Sequence, residues 1–220
     1  MIIDSRFNGP PGTGNGGYTC GRFATAHPGP GPVEVTLRKP PPLDAPLTTT
    51  ATTDGRIEIR DPDGELIGQV APADPFTVTI APVPWAAAVE VSAAYPGFTD
   101  HPFPTCYVCG PKRDDGLGVF PGVLPDGRTA APFVVPEDVS AATVWAALDC
   151  PGGWAIITPG RPYVLGRMAA TVSAVPAPGD RCVVVGRMVR SEGRKAEVQT
   201  MLYGPGGEPL GYARATWIAI

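Results

Sequence analysis

The sequence has little charge and no excess of positive charge. Of its 220 residues 17% are charged, and 17 basic against 21 acidic residues give a net charge of -4. Nucleic acid and anionic membrane surfaces are held by a basic field, so neither partner is expected. No apolar run approaches bilayer-spanning length, and the charged start at residues 1–7 is unlike a secretory segment. We therefore expect a cytoplasmic protein that does not bind membranes.

Histidine is scarce, which limits acid-base chemistry based on imidazole. The two histidines, His27 and His101, lie in loop-like stretches and are interpreted as surface residues. No serine stands in a Gly-x-Ser-x-Gly motif, so a hydrolase with a nucleophile elbow is excluded. The glycine-rich residues 9–16 have the spacing of a phosphate-binding loop, but they lack its lysine and its magnesium-binding hydroxyl. We interpret this segment as a turn that enters a helix.

The five cysteines are odd in number and mostly far apart. This pattern indicates reduced thiols in a cytosolic chain rather than a disulfide framework. Cys106 and Cys109 have the spacing of half a zinc site, but a tetrahedral site needs four ligands and His101 is the only other candidate nearby. We therefore expect no metal and no cofactor, and we interpret the pair as ordinary thiols beside a tight turn.

Glycine and proline, 28 and 29 residues, stand mostly in clusters between β-branched runs, which is typical of turns between short strands. Alternating or β-favouring runs predict strands at residues 33–38, 47–53, 56–60, 164–172, 182–189, 196–203 and 210–220. Candidate helices precede the strands of each half, at residues 16–26 and 140–149. Ser140 caps the second helix and residues 151–153 end it. Residues 84–95 are either helical or extended.

The two halves of the chain resemble each other. Residues 61–68 and 204–211 have similar sequences, each a turn that leads into a strand, and we interpret this as an internal duplication. A helix followed by a meander of antiparallel strands favours a curved sheet around a central helix, which is an α+β fold. The boundary is predicted near residue 100, with halves at 1–100 and 101–220.

Asp149 is the carboxylate that stands out, because it ends an apolar helical stretch and precedes Cys150 and an aromatic residue. Burial there would raise its pKa and make it a base, a nucleophile or a group that holds water. The alternative is an aspartate at a helix end that faces solvent, and the residues alone leave both open.

Two segments resemble a known family. Residues 147–155, ALDCPGGWA, resemble the helix segment of hotdog-fold acyl-CoA thioesterases. Residues 106–117, CYVCGPKRDDGL, resemble the opening before the first strand of thioesterases of the phenylacetate-pathway type. With the duplication, the whole chain resembles a double-hotdog enzyme such as acyl-CoA thioesterase II. The resemblance implies a tandem hotdog, with two antiparallel sheets each wrapped around a central helix and joined side by side.

The resemblance also implies the site residues. Asp149 falls at the family's catalytic aspartate and Thr171 at its active-site threonine, whereas Thr216 is only the nearest position to its glutamine on the last strand. In the first half Ala24 takes the place of the aspartate, so that half is expected to be catalytically degenerate. Further residues are expected to bind substrate: Asn15, Gly16 and Gly17 at the oxyanion, and Trp145, Trp154 and Met168 in an acyl pocket.

The function implied by the resemblance is hydrolysis of acyl-CoA, or another acyl thioester, by a water molecule that Asp149 activates. The missing glutamine supports an alternative, a non-catalytic acyl-CoA or acyl-carrier binding protein of the same fold. A hotdog dehydratase or hydratase is a third possibility, although such sites pair a histidine on the helix with a carboxylate. The duplicated chain is expected to be a monomer or a simple homodimer.

Overall fold

The computed structural model describes residues 1–29 and 31–220. Within them the regular structure comprises three α-helices and ten strands. In chain order these are α1 Gly16–Ala24, β1 Val33–Leu37, β2 Thr48–Ala51, β3 Ile57–Arg60, β4 Leu66–Pro72, α2 Trp85–Ser92, β5 Gly122–Val123, β6 Thr129–Val134, α3 Ala141–Trp154, β7 Tyr163–Val172, β8 Arg181–Glu192, β9 Lys195–Tyr203 and β10 Pro209–Ala219. In this part of the chain no helix combines the length and the apolar character needed to cross a bilayer.

All ten strands form one antiparallel sheet, in the order β2-β3-β4-β1-β7-β10-β9-β8-β6-β5. A helix followed by four strands occurs twice, as α1 with β1 to β4 and as α3 with β7 to β10, and the strands of both units neighbour one another in the same order. The units meet where β1 pairs with β7, with Val35 opposite Met168. The predicted α+β fold, with antiparallel strands around central helices in two units side by side, is confirmed, except that the two expected sheets join into one through the pairing of β1 with β7.

The two central helices pack directly on each other through glycine. A Cβ atom at Gly21 would lie 2.8 Å from Ala142 Cα and 2.8 Å from Trp145 Cβ, so the helices approach at a distance that only glycine permits. Residues 142–154 of α3 are buried on every side, as expected for a helix that is apolar all round. This crossing places the first turn of α1 against the second half of α3.

The second central helix is longer than the sequence predicts. The prediction that the helix ends at residues 151–153 is wrong, because α3 continues through Pro151 to Trp154. Side chains from the sheet bond to carbonyl groups around the proline: Thr200 donates to Leu148 O at 2.7 Å and Thr129 donates to Pro151 O at 2.7 Å. Tertiary packing therefore overrides the local signal of a proline followed by two glycines.

Residues 84–95, for which the sequence left two alternatives, contain the helix α2. Together with residues 78–83 it forms a second apolar cluster, in which Ala88 packs with Val183 and Tyr203 of the second unit. The sequence did not predict β5 or β6. Pro132 lies in β6 beyond the two residues that pair with β5, so this part of the strand is an edge, where proline is tolerated. The boundary near residue 100 stays a prediction.

Candidate functional site

A cavity of about 400 Å³ opens between the first turn of α1, the last turns of α3 and the ends of β7 and β10. Most of its wall is apolar. Among the residues singled out from the sequence, Asn15, Gly16, Asp149 and Trp154 line it. The remaining wall includes Leu37, Phe103, Ile157, Tyr163, Val164, Leu165, Trp217, Ile218 and Ile220, with Arg38, Lys39, His101 and three cysteines.

Asp149 is buried, so it does not face solvent as the alternative interpretation had it. Only 2% of the residue is exposed. Its Oδ2 atom accepts a hydrogen bond from the backbone N–H of Gly17 at 2.8 Å. Its Oδ1 atom has no hydrogen-bond partner among the described residues. One oxygen of this carboxyl group is thus anchored to the opposite helix, and the other is buried without a partner among the described residues.

Burial raises the pKa of Asp149 to about 8, because the charged form loses its hydration. The Gly17 N–H opposes this shift, since it donates to the carboxylate and lowers the pKa. The Cys106 side chain also raises the pKa of Asp149. The result is a carboxyl group whose pKa lies far above that of an exposed aspartate.

The N-terminus of α1 supplies the polar groups that face α3. Asn15 caps the helix, since its Oδ1 atom accepts from Tyr18 N–H at 2.8 Å. The Gly17 N–H donates to Asp149 Oδ2, whereas the resemblance implied that it would donate to the oxyanion. Gly16, which lines the cavity, is the first residue of α1, and an N–H at that position has no acceptor within its own helix. Gly16 is therefore the candidate backbone donor of this turn at the cavity wall.

Five residues implied by the resemblance, Gly17 and the four described next, are not brought to this cavity in the part of the chain that the structure describes. Thr171 lies on β7 five residues beyond Gly166, the last wall residue of that strand, which corresponds to roughly 16 Å along a strand. Thr216, on β10, lies outside the wall as well. Trp145 packs against Gly21 in the helix crossing, and Met168 is fully buried in the core.

Three buried cysteines converge beside Asp149, a cluster that the sequence did not predict. The Sγ atoms of Cys106, Cys109 and Cys150 all lie within 4.8 Å of one another. Hydrogen bonds from the thiols of Cys109 and Cys150 hold the pKa of Cys106 well below its usual value. The sequence signals were the Cys-x-x-Cys spacing of Cys106 and Cys109 and the position of Cys150 directly after Asp149, which delivers both of those side chains to the same end of α3.

Solved structures are similar to part of this chain at low sequence identity. The Escherichia coli PaaI protein from the phenylacetic acid degradation operon is 11% identical over 47% of this chain and 80% of its own, with a TM-score of 0.43. A hypothetical thioesterase from Streptococcus pneumoniae, solved with coenzyme A, is 13% identical over 46% of this chain and 84% of its own, with a TM-score of 0.42. The smu.793 protein of Streptococcus mutans, bound to acetyl CoA, is 15% identical over 43% of this chain and 82% of its own, with a TM-score of 0.40. No family model matches the sequence, and no curated protein matches it.

Proposed function

We propose that the protein hydrolyses acyl thioesters, with acyl-CoA as the substrate class, in the cavity beside Asp149. One observation carries the proposal: a buried carboxyl group has one oxygen without a partner, at the wall of an apolar cavity, next to a helix N-terminus. The resemblance of residues 147–155 to the helix segment of hotdog thioesterases supports the same function.

In the proposed reaction Asp149 acts in its ionised form. Its Oδ1 atom takes a proton from a water molecule, and the water oxygen attacks the thioester carbonyl carbon. The carbonyl oxygen becomes an oxyanion, which the Gly16 N–H and the positive end of α1 stabilise. The C–S bond then breaks, and the leaving sulfur takes the proton back from Asp149. The products are a carboxylic acid and a free thiol. Gly17 N–H keeps the carboxyl group aimed at the cavity throughout.

The acyl chain is proposed to occupy the apolar part of the cavity, where Trp154, Leu165 and Trp217 form the wall. The volume of about 400 Å³ lies within the range of small-molecule sites, about 300 to 1,000 Å³. Burial of apolar surface is then the main contribution to affinity for the chain, and chain length should affect KM.

The proposal is tested by offering the purified protein acyl-CoAs of short, medium, long and aromatic acyl groups, and by measuring the release of free thiol. Release that depends on the acyl group supports the proposal. Thermal stabilisation by these compounds without release would contradict it, and would favour the alternative of a binding protein. The specific observation behind that alternative is that neither Thr171 nor Thr216 is among the residues that line the cavity.

We expect Thr171→Val and Thr216→Val to leave kcat and KM within about twofold of the parent protein. Neither side chain lines the cavity, and exposed or half-buried substitutions away from a site have small effects, roughly 0.5 kcal/mol on stability. The measurement is steady-state thiol release from the best acyl-CoA. A tenfold loss of kcat in either variant would show that the threonine reaches the reacting atoms.

Arg38 and Lys39 are proposed to contact the phosphate groups of the carrier. Both are exposed and lie in the cavity wall, where Arg38 donates to Gln69 Oε1 at 2.7 Å and Lys39 forms an ion pair with Glu65. We expect the double variant with Arg38→Gln and Lys39→Gln to raise KM for acyl-CoA about three- to tenfold, since each exposed contact contributes up to about 1 kcal/mol.

The control for that prediction is a change of substrate. An N-acetylcysteamine thioester carries the same acyl group but no phosphate, so the double variant should turn it over with the kcat/KM of the parent protein. Equal losses on both substrates would contradict a role for these side chains in binding the carrier.

The proposal places one active site in each chain, with a degenerate first half over residues 1–100 and the reactive carboxylate in residues 101–220. Ala24, the position that corresponds to Asp149 in the resemblance, ends α1 and offers no carboxylate. A cytoplasmic location and a monomer or homodimer belong to the same proposal. The five cysteines are all free, which is in keeping with a reducing compartment.

A further inference from the structure

The three thiols beside Asp149 are presented by two rigid elements. Cys106 and Cys109 belong to a tight turn that is closed by a hydrogen bond from Gly110 N–H to Cys106 O at 2.9 Å. A Cβ atom at Gly110 would lie 2.4 Å from Cys106 N, so the turn requires glycine there. Cys150 comes from α3, and its sulfur completes a triangle in which all Sγ atoms lie within 4.8 Å of one another.

We propose that Cys106, Cys109 and Cys150 bind a zinc ion as thiolates, and that the fourth coordination position of the zinc opens to the cavity. Tetrahedral zinc with Zn–S bonds of about 2.3 Å separates its sulfur ligands by about 3.8 Å. The Sγ atoms of the observed cluster lie within 4.8 Å of one another, which is close to that spacing. Soft thiolate ligands select zinc over magnesium, calcium or manganese.

The groups around the sulfurs fit metal-bound thiolates. Three N–H donors face them: Trp154 Nε1 lies 3.5 Å from Cys109 Sγ, Asn15 Nδ2 lies 3.6 Å from Cys106 Sγ, and His101 Nε2 lies 3.4 Å from Cys109 Sγ. A neutral thiol is a weak acceptor and gains little from such donors. A coordinated thiolate keeps most of its negative charge, and outer donors of this kind hold it in place.

His101 is assigned as one of these donors and not as the fourth ligand. Its Nδ1 atom accepts a hydrogen bond from Phe103 N–H at 2.9 Å, so in the neutral ring the proton resides on Nε2. Nε2 then donates to Cys109 O at 3.1 Å as well as facing the Cys109 sulfur. Because all three cysteines line the cavity, the remaining coordination position is left to water or to an atom of a ligand.

Binding as thiolates would place three negative charges in a buried site. Charges in such a site require a nearby cation. The two cationic side chains of the cavity wall are exposed and have partners of their own. Arg38 donates to Gln69, and Lys39 forms an ion pair with Glu65. A divalent ion supplies the missing positive charge at the centre of the triangle. The inference is independent of the proposed hydrolysis, since it concerns only how the ion is held.

The test is the metal content of the full chain, purified without chelators from a zinc-supplemented culture. Mass spectrometry of the native protein and elemental analysis are expected to give one zinc per chain. The variants Cys106→Ser and Cys150→Ser should lose at least nine tenths of it. Cys182→Ser is the matched control, because Cys182 is also fully buried but lies in β8 outside the cluster, and it should keep its zinc.

A second measurement does not depend on the variants folding. Cobalt added to the metal-free parent protein should give the intense thiolate-to-cobalt charge-transfer band and the ligand-field bands of a tetrahedral site. His101→Gln should keep both the zinc and the cobalt spectrum, whereas loss of the metal in this variant would overturn the open fourth position. A parent protein that binds neither metal, or whose cluster forms a disulfide under mild oxidation in the presence of zinc, would overturn the proposal. Thiol release from acyl-CoA is measured separately, so failure of the zinc site and failure of the hydrolase proposal are distinguishable.

Discussion

Replacing Asp149 by asparagine is expected to lower kcat for thioester hydrolysis about 100- to 10,000-fold, the usual contribution of a positioned acid-base group. Asparagine has nearly the same shape, and its side-chain oxygen accepts the Gly17 N–H as the carboxylate Oδ2 atom does at 2.8 Å. The amide nitrogen then replaces the oxygen that has no partner. An amide cannot take a proton from water, so binding should persist while turnover is lost.

The same variant should unfold at the temperature of the parent protein or higher. Asp149 is fully buried, and burial raises its pKa to about 8 because the charge is poorly solvated there. A neutral amide avoids that cost and keeps the contact to α1. Thermal unfolding with and without acyl-CoA measures both properties, and ligand-induced stabilisation should survive the substitution.

Asp138→Asn is the matched control for this prediction. Asp138 is exposed and forms an ion pair with Arg6 at 2.5 Å on the surface. Exposed pairs of this kind contribute between about 0 and 1 kcal/mol, so both activity and stability should stay close to those of the parent. An Asp149→Asn protein with full kcat would remove Asp149 from the mechanism.

The strands show what the sequence could predict. Alternation over residues 33–38 and 56–60 marks strands with one buried face, and the structure contains β1 and β3 there. The end of α3 could not be predicted, because residues 151–153 are local helix breakers. They stay helical because Gly152 and Gly153 fit against the sheet, where a Cβ atom would lie 2.7 Å from Val198 and 2.5 Å from Trp217. The helical state of these residues therefore depends on contacts with residues distant in sequence.

In the candidate site, too, some features could be predicted from the sequence and others could not. The apolar residues around Asp149 were enough to predict that burial raises its pKa, as the structure has it. Its partner was not predictable, because Gly17 is 132 positions away and meets it only through the helix crossing. Cys150 joins the pair Cys106 and Cys109 for the same reason. A single sequence shows which groups carry chemistry, and tertiary packing decides which of them meet.

Replacing Gly17 by alanine is expected to lower both stability and activity. A Cβ atom at this position would lie 2.4 Å from Asp149 Cβ and 2.8 Å from Trp145 O. The second atom belongs to the backbone of α3 and cannot rotate away, so α1 must shift. Overpacking of this kind costs typically about 1 to 3 kcal/mol in the free energy of unfolding. The shift also weakens the hydrogen bond that aims the Asp149 carboxyl group, so we expect kcat/KM to fall at least tenfold.

Gly64→Ala is the control, because Gly64 has a φ of +81° and nothing within 4 Å of its added Cβ atom. It should cost only the strain of a left-handed residue, roughly 1 to 2 kcal/mol, and leave kcat/KM unchanged. Chemical denaturation and thiol release, measured on both variants, separate the two effects. If Gly17→Ala lost stability but kept full activity, the contact would join the helices without positioning the carboxylate. Stability and activity should therefore fall together in Gly17→Ala, whereas Asp149→Asn should lose activity alone.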